Sequence, residues 1–375
     1  MLRDLSVAVA KKRCRVCGEE SALISQELGV CASCLREKPS EALIFVGEAH
    51  ASARRPFGLP SSPPRDVGGI PCMVCSNGCI IGKGEKGFCG LRENRDGRLR
   101  TLTSPKEGLL YAYLDPHVTN CCCNWFCPAG TGAGYPKFAN KAGPEFGWSN
   151  LAVFFYGCNF DCLFCQNASH KQISEGETIS SEEFVRWIED NDRVSCVCFF
   201  GGSPEPQLPF ALEVSRLLLE SKGDRILRIC FEWNGCGNPE LVRRAAEVAL
   251  VSGGNIKFDL KCFNPALSRA LSGVSNGRAY ENFRMIAEEF YNQRPDLPLL
   301  TAATLLVPSY VDVKEVDEIS RLVADLNDEI PYSLLVFYPH FRMRDLPITP
   351  VKQVVDCYTT AKKHLRRVSV GNLHL

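Results

Sequence analysis

The side chains of this chain that could do chemistry are its thiols. It has 21 cysteines in 375 residues, and most of them are grouped. The most compact group reads Cys158-Asn-Phe-Asp-Cys162-Leu-Phe-Cys165, a C-x3-C-x2-C spacing. Three thiolates so close in sequence can wrap one iron–sulfur cluster on a short loop. Such clusters ordinarily take four cysteines, so a missing fourth leaves one iron open to another ligand. The competing reading is a zinc knuckle that borrows a distant fourth ligand. The nest directly follows an apolar run, LAVFFY at 151–156, which favours the cluster.

Three further groups precede it. Cys14, Cys17, Cys31 and Cys34 form two C-x2-C knuckles and read as a zinc ribbon, with rubredoxin-like iron as the alternative. So short a segment cannot fold on its own core, so its metal would supply the folding free energy. Cys72, Cys75, Cys79 and Cys89 could close a zinc site or an auxiliary [4Fe-4S] cluster. Cys121, Cys122, Cys123 and Cys127 are harder to read. Neighbouring side chains diverge, so three adjacent cysteines are not expected to reach one ion; two of them, with Cys127, are the expected ligands. Cys196, Cys198, Cys230, Cys236, Cys262 and Cys357 lack ligand spacing and read as core.

Elements that could position the nest begin at 151. Short apolar runs occur at 151–156, 194–200, 226–231, 256–260, 299–306 and 333–338. Helical stretches at 180–190, 208–222, 238–250, 278–291 and 313–326 separate them. The last repeats apolar residues at i+3 and i+4: Val313, Val316, Ile319, Leu322, Val323 and Leu326. Alternating strand and helix predicts an α/β fold with a parallel sheet, a partial (β/α)6 TIM-like barrel whose site sits at the C-terminal strand ends. The expected organisation is a zinc-ribbon-like module at 1–40, a linker at 41–70, a cysteine-rich accessory region at 71–150, the barrel at 151–345, and a terminal helix and strand at 346–375. The linker is read from RRPFGLPSSPPRD at 54–66, and 100–150 reads as irregular structure around metal ligands.

Composition narrows the classes. There are 43 basic and 43 acidic residues, so no charge excess argues for nucleic acid. The first residues show no signal-peptide core, and no apolar run is long enough for a membrane span. Clustered thiols in such a chain suit a reducing, cytoplasmic setting, and so many of them suit an anaerobic host.

The motifs together resemble radical SAM proteins related to pyruvate formate-lyase activating enzymes, nearest the AmmeMemoRadiSam branch. The resemblance rests on PCMVCSNGCIIGKGEKGFCGLRENRDGRL at 71–99, YGCNFDCLFCQN at 156–167, FDLK at 258–261, LSGVSNGRAYENF at 271–283, and VFYPHFRMRDLPITP with VSVGN near the C-terminus. It implies a [4Fe-4S] cluster on Cys158, Cys162 and Cys165, with S-adenosylmethionine (SAM) chelating the open iron. Phe164 would lie beside the adenine. Gly201 and Gly202 would let the backbone approach the SAM amino group; Ser203 stands where the family has glutamate, with Glu205 two residues on. Asn234 would line the pocket. Asp259 and Lys261 would face the ribose and the methionine carboxylate. Ser275 and Asn276 would sit on the active face, and His340 near the adenine.

The implied function is reductive cleavage of SAM to a 5′-deoxyadenosyl radical that abstracts hydrogen, with activation of a glycyl-radical protein as one outcome. The implied partners are an electron donor such as flavodoxin or ferredoxin and a protein substrate. Radical modification of a peptide or small molecule is the second reading. A non-catalytic iron–sulfur or zinc scaffold that passes electrons is the third.

Overall fold

The computed structural model describes residues 10–373. Residues 1–9, the stretch expected to carry no signal peptide, lie outside the described residues, as do 374–375. Among the described residues no helix is long and apolar enough to cross a membrane.

Three small antiparallel ladders occupy the N-terminal third. They pair β1 (Lys12–Arg13) with β2 (Glu20–Ser21), β3 (Ile70–Pro71) with β4 (Ile80–Ile81), and β5 (Arg92–Arg95) with β6 (Arg98–Thr101). Helices α1 (Ala32–Glu37) and α2 (Pro39–Arg54) follow the first ladder. Then comes one sheet of nine strands: β7 (Glu107–Pro116), β8 (Ser149–Phe155), β9 (Glu177–Ser180), β10 (Val194–Phe200), β11 (Arg228–Trp233), β12 (Ile256–Asp259), β13 (Leu300–Leu306), β14 (Tyr332–Val336) and β15 (Val368–Gly371). Their order is β15-β14-β13-β12-β11-β10-β8-β7-β9.

From β8 through β15 the pairs are parallel, and β7 and β9 add an antiparallel edge. The six expected strand–helix units are present, and β15 extends the parallel run. The ladder does not close on itself, because β15 and β9 are its edges. A short helix α3 (Pro128–Thr131) precedes β8. The covering helices are α4 (Ser181–Glu189), α5 (Leu208–Ser221), α6 (Pro239–Ser252), α7 (Pro265–Ser272), α8 (Gly277–Phe290), α9 (Val313–Leu326) and α10 (Val351–His364).

Local chemistry explains the boundaries. Ser180 Oγ accepts from Glu183 N at 3.0 Å, which caps α4. Asn238 and Asn264 cap α6 and α7, each followed by a proline at the first helical position. The strand VSCVCFF is almost wholly buried, as a parallel strand covered on both faces should be.

Two expectations are overturned. The linker placed at 41–70 begins inside α2, a 16-residue helix. Ala42, Val46, Ala49 and Ala53 are buried at helical spacing, so this helix packs onto the core instead of bridging to it. The stretch 100–150, read as irregular, contains the ten-residue strand β7, which pairs along the whole of β8. Its partner strand, not its own composition, fixes it as sheet.

Candidate functional site

The nest follows β8 without a spacer, so Cys158, Cys162 and Cys165 stand at the C-terminal edge of the sheet. They line one end of a cavity of about 270 Å³ that also touches β10, β11 and β12. The loop between them is pinned to α7: Asp161 N donates to Ser272 O at 2.8 Å and Leu163 N to Leu271 O at 3.0 Å. Asp161 itself is fully buried. Its carboxylate meets Lys171 at 2.5 Å, His50 Nδ1 at 2.7 Å and Arg54 at 3.4 Å. Despite burial, these neighbours hold its pKa well below the usual carboxylate range. Protein contacts thus hold the nest loop from both α7 and α2. Burial pushes all three nest thiols up, Cys165 to about 11, so loading them with metal must release protons.

The opposite wall comes from later strand ends. Gly201 and Gly202 have φ of +68° and +60°. A Cβ on Gly202 would come within 2.3 Å of Phe155 O, so only glycine fits this turn against β8. Ser203 Oγ accepts from Asn234 Nδ2 at 2.9 Å, and that amide also donates to Asn159 Oδ1 at 2.7 Å. Ser203 thus replaces a charged residue with a neutral, satisfied one. Asp259 and Lys261 pair with each other, yet Asp259 Oδ1 is buried without a hydrogen-bond partner. Lys261 Nζ lies 5.6 Å from the Phe164 ring centroid. An aromatic face, an unpartnered carboxylate oxygen and a lysine in one cavity with three thiols suit a ligand with an ammonium, a carboxylate and a flat ring. The residues present therefore fit both SAM and a cluster.

Eight of the expected side chains line this cavity: the three cysteines, Phe164, Ser203, Asn234, Asp259 and Lys261, with Gly201 and Gly202 supplying backbone. Two do not. Glu205 is fully buried behind the wall, where Oε1 accepts from Gly235 N at 2.7 Å. Desolvation raises its pKa to about 7. His340 Nδ1 sits 3.0 Å from Cys165 O and contacts the nest backbone, not the cavity. Ser275 and Asn276 also lie off the cavity; Asn276 Nδ2 donates to Cys262 O at 2.6 Å.

Sequence reasoning missed Lys257 and saw Glu232 only as part of the polar strand end at the pocket; the two form a 2.9 Å ion pair that lines the cavity. Strand alternation carried the signal: Lys257 and Asp259 are two apart on β12, so they share a face. It also missed Asp161 and its three partners Lys171, His50 and Arg54, which no local spacing announces.

The remaining thiols separate clearly. Cys14, Cys17, Cys31 and Cys34 bring four sulfurs within 4.8 Å of one another. The Cys14–Cys34 and Cys17–Cys31 sulfurs are each 3.8 Å apart. A metal–sulfur bond of about 2.3 Å at the tetrahedral angle gives the same spacing, about 3.8 Å. Cys72, Cys75, Cys79 and Cys89 share a neighbourhood in which Cys89 and Cys72 raise the Cys79 thiol, but they do not close into such a set. Cys121, Cys122 and Cys123 do close within 4.8 Å, against the expectation that adjacent side chains must diverge. A turn with Asn124 N bonded to Cys121 O at 3.0 Å curls the backbone and brings them together. Cys127 stays apart from them. It lines a second chamber of about 310 Å³ beside Cys196, Cys198 and Cys230, which are therefore chamber wall and not simple filling. Cys236, Cys262 and Cys357 are fully buried core, as expected.

Comparison with known proteins agrees with this geometry. Residues 152–323 match the Radical SAM superfamily. The isethionate sulfite-lyase activating enzyme of Desulfovibrio desulfuricans is 33% identical over 42% of this chain and 49% of its own length. The chain thus spans about half of that relative. An uncharacterized protein of Methanocaldococcus jannaschii, MJ0808, is 23% identical over 81% of each chain. The crystal structure of Streptococcus suis SuiB bound to S-adenosylmethionine aligns with a TM-score of 0.41 at 13% identity, over 58% of this chain and 49% of that one. From β8 into α9, then, residues 152–323 form a radical SAM domain.

Proposed function

We propose that this chain cleaves SAM reductively in the 270 Å³ cavity and uses the product to abstract hydrogen from a substrate. One observation carries the reading. Three thiols and Phe164 on the nest loop share one cavity with an unpartnered Asp259 oxygen and with Lys261. Cys158, Cys162 and Cys165 would hold a [4Fe-4S] cluster, which supplies the electron that breaks the sulfonium C–S bond to give a 5′-deoxyadenosyl radical.

The other residues act on position and solvent. Phe164 offers a flat apolar face to the adenine. Asp259 Oδ1 accepts from the ribose hydroxyls, and Lys261 Nζ donates to the carboxylate of the methionine portion. Gly201 and Gly202 bring backbone close to the amino group. Phe160 and Trp233, both nearly fully buried, exclude water from the cavity wall. A flavodoxin or ferredoxin would deliver the electron in the cytoplasm.

For the substrate, similarity to a putative glycyl-radical enzyme activating enzyme of Methanocaldococcus jannaschii, MJ1227, 21% identical over 60% of this chain, supports a glycyl residue on a partner protein. A second reading, a peptide or small molecule, is favoured by the 310 Å³ chamber, which shares Phe200 and Glu232 with the SAM cavity.

The test is anaerobic. Reconstituted, dithionite-reduced protein should release 5′-deoxyadenosine and methionine from SAM, and its EPR signal should change when SAM is added. No cleavage and no spectral change would sink the proposal. The competing scaffold reading predicts that result.

A further inference from the structure

We infer that Cys121, Cys122 and Cys123 form a separate site for a single thiophilic divalent ion, zinc in chemical class, with Glu232 beside Cys121 as the fourth donor when the ion is bound. It would lie in the interior of the sheet between the SAM cavity and the inner chamber. The three sulfurs lie within 4.8 Å of one another, and those of Cys122 and Cys123 are 3.8 Å apart. That equals the spacing in the N-terminal quartet and the edge of a tetrahedral sulfur site, about 3.8 Å. A cluster of several irons would hold its sulfurs farther apart, and a disulfide would bring them to about 2.05 Å.

A second, independent observation points at the same spot. Cys121 Sγ donates to Glu232 Oε1 at 2.8 Å, so an oxygen donor stands beside one corner of the sulfur triangle, outside the 4.8 Å set, and would swing inward to complete a tetrahedron. Three thiolates and a carboxylate carry more negative charge than a divalent ion neutralises. Lys257 Nζ, 2.9 Å from the other Glu232 oxygen, offsets one of the two remaining negative charges.

The loop is also held as a ligand loop must be. Ser333 Oγ donates to Cys122 O at 2.8 Å, and Trp125 Nε1 donates to Ser333 Oγ at 3.1 Å, which ties the turn to β14. Cys123 is fully buried. The ion would fix this turn as part of the wall of the second chamber, which it lines with Thr119, Asn120 and Cys121, and Glu232 would link it to the SAM cavity. The site stands whether or not SAM is cleaved, since its evidence is sulfur geometry.

Metal counting tests it. Full-length protein would be prepared with zinc and without iron, and metal per chain measured by mass spectrometry. The C121S/C122S/C123S variant should hold one zinc fewer than the wild type. Equal zinc in both, or a Cys122–Cys123 disulfide in the anaerobically isolated wild type, overturns the assignment. The triple variant could misfold, so Glu232→Gln gives a second readout with every thiol kept. It should release one zinc equivalent to a chelator about tenfold faster than the wild type. A release profile identical to wild type removes Glu232 from the site.

Discussion

The quartet at 14–34 and the nest at 158–165 use the same side chain at similar short spacings, yet their surroundings differ. The quartet's sulfurs close to a 3.8 Å edge, on a segment whose regular structure is two two-residue strands and a six-residue helix. The nest thiols line a cavity, and their loop is pinned by α7 and by Asp161 with its neighbours Lys171, His50 and Arg54. A site that closes around one ion gives its metal a folding role. A site shaped by protein before any metal arrives can leave a coordination position free for chemistry. The two are not isolated, because the quartet and α2 share one apolar cluster with Leu163 and Phe164 of the nest.

The largest effect should come from the nest. Replacing Cys158, Cys162 and Cys165 by Ala should abolish SAM cleavage, while circular dichroism and the metal on the quartet stay as in wild type. Loss of the fold along with activity would break the comparison, because the nest would then need its metal as the quartet does.

The quartet should behave in the opposite way. Cys14→Ser with Cys31→Ser should remove its metal and unfold residues 10–37. The local loss would be on the order of 10 kcal/mol, as structural zinc gives in small modules. Hydrogen exchange would show that segment unprotected. SAM cleavage should fall by less than about tenfold, since no quartet residue lines the cavity. A complete loss would mean the shared apolar cluster positions Phe164.

Asp161→Asn sharpens what holds the nest. It leaves Lys171 and Arg54 buried without their anion, a change of about 3–5 kcal/mol that urea denaturation would measure. The effect also has a sign in pH. Asp161 has a lowered pKa, so its stabilisation is present above the ordinary carboxylate value and is lost as pH falls below it. Glu145, paired with Arg228 at 2.6 Å and lowered to about 2, acts the same way between about pH 4.5 and 2. Burial lowers His117 to about 4, so its neutral form is favoured and stability falls between about pH 6.5 and 4. Wild type should therefore lose stability on acidification, and the Asp161→Asn variant should lose less of it below pH 4.

These contrasts show what was legible in the sequence. The nest, the glycine turn and the Asp259–Lys261 end were readable because each is a local motif on a strand with a clear apolar pattern. The covering helices were readable from their periodicity. Strand β7 was not, since only its pairing with β8 makes it sheet. Helix α2 was missed because the proline-rich stretch behind it drew the boundary too early, although Ala42, Val46, Ala49 and Ala53 carry a helical stripe. Glu232 depends on a partner 25 residues away and Asp161 on partners from two other segments, and spacing carries no trace of those pairings.

Glu205 offers the smallest and most discriminating test. The motif places it to touch SAM, but its buried side chain turns from the cavity to Gly235 N, and Oε2 has no partner. Desolvation raises its pKa to about 7, so the fold favours the protonated acid. That contribution is fully present below the unfolded value near 4.5 and is lost as pH rises through 7. Glu205→Gln keeps the neutral shape, so melting temperature should lose its decline between pH 5 and 8, a gain of about 1–3 kcal/mol at the alkaline end. The KM for SAM should stay within about twofold, because the side chain does not line the cavity. A rise in KM with no change in the melting profile would return Glu205 to the SAM contact that its sequence position suggests. The strand-end wall would then rearrange when SAM binds, and the contrast between a preformed nest and a metal-built quartet would hold for the nest loop alone.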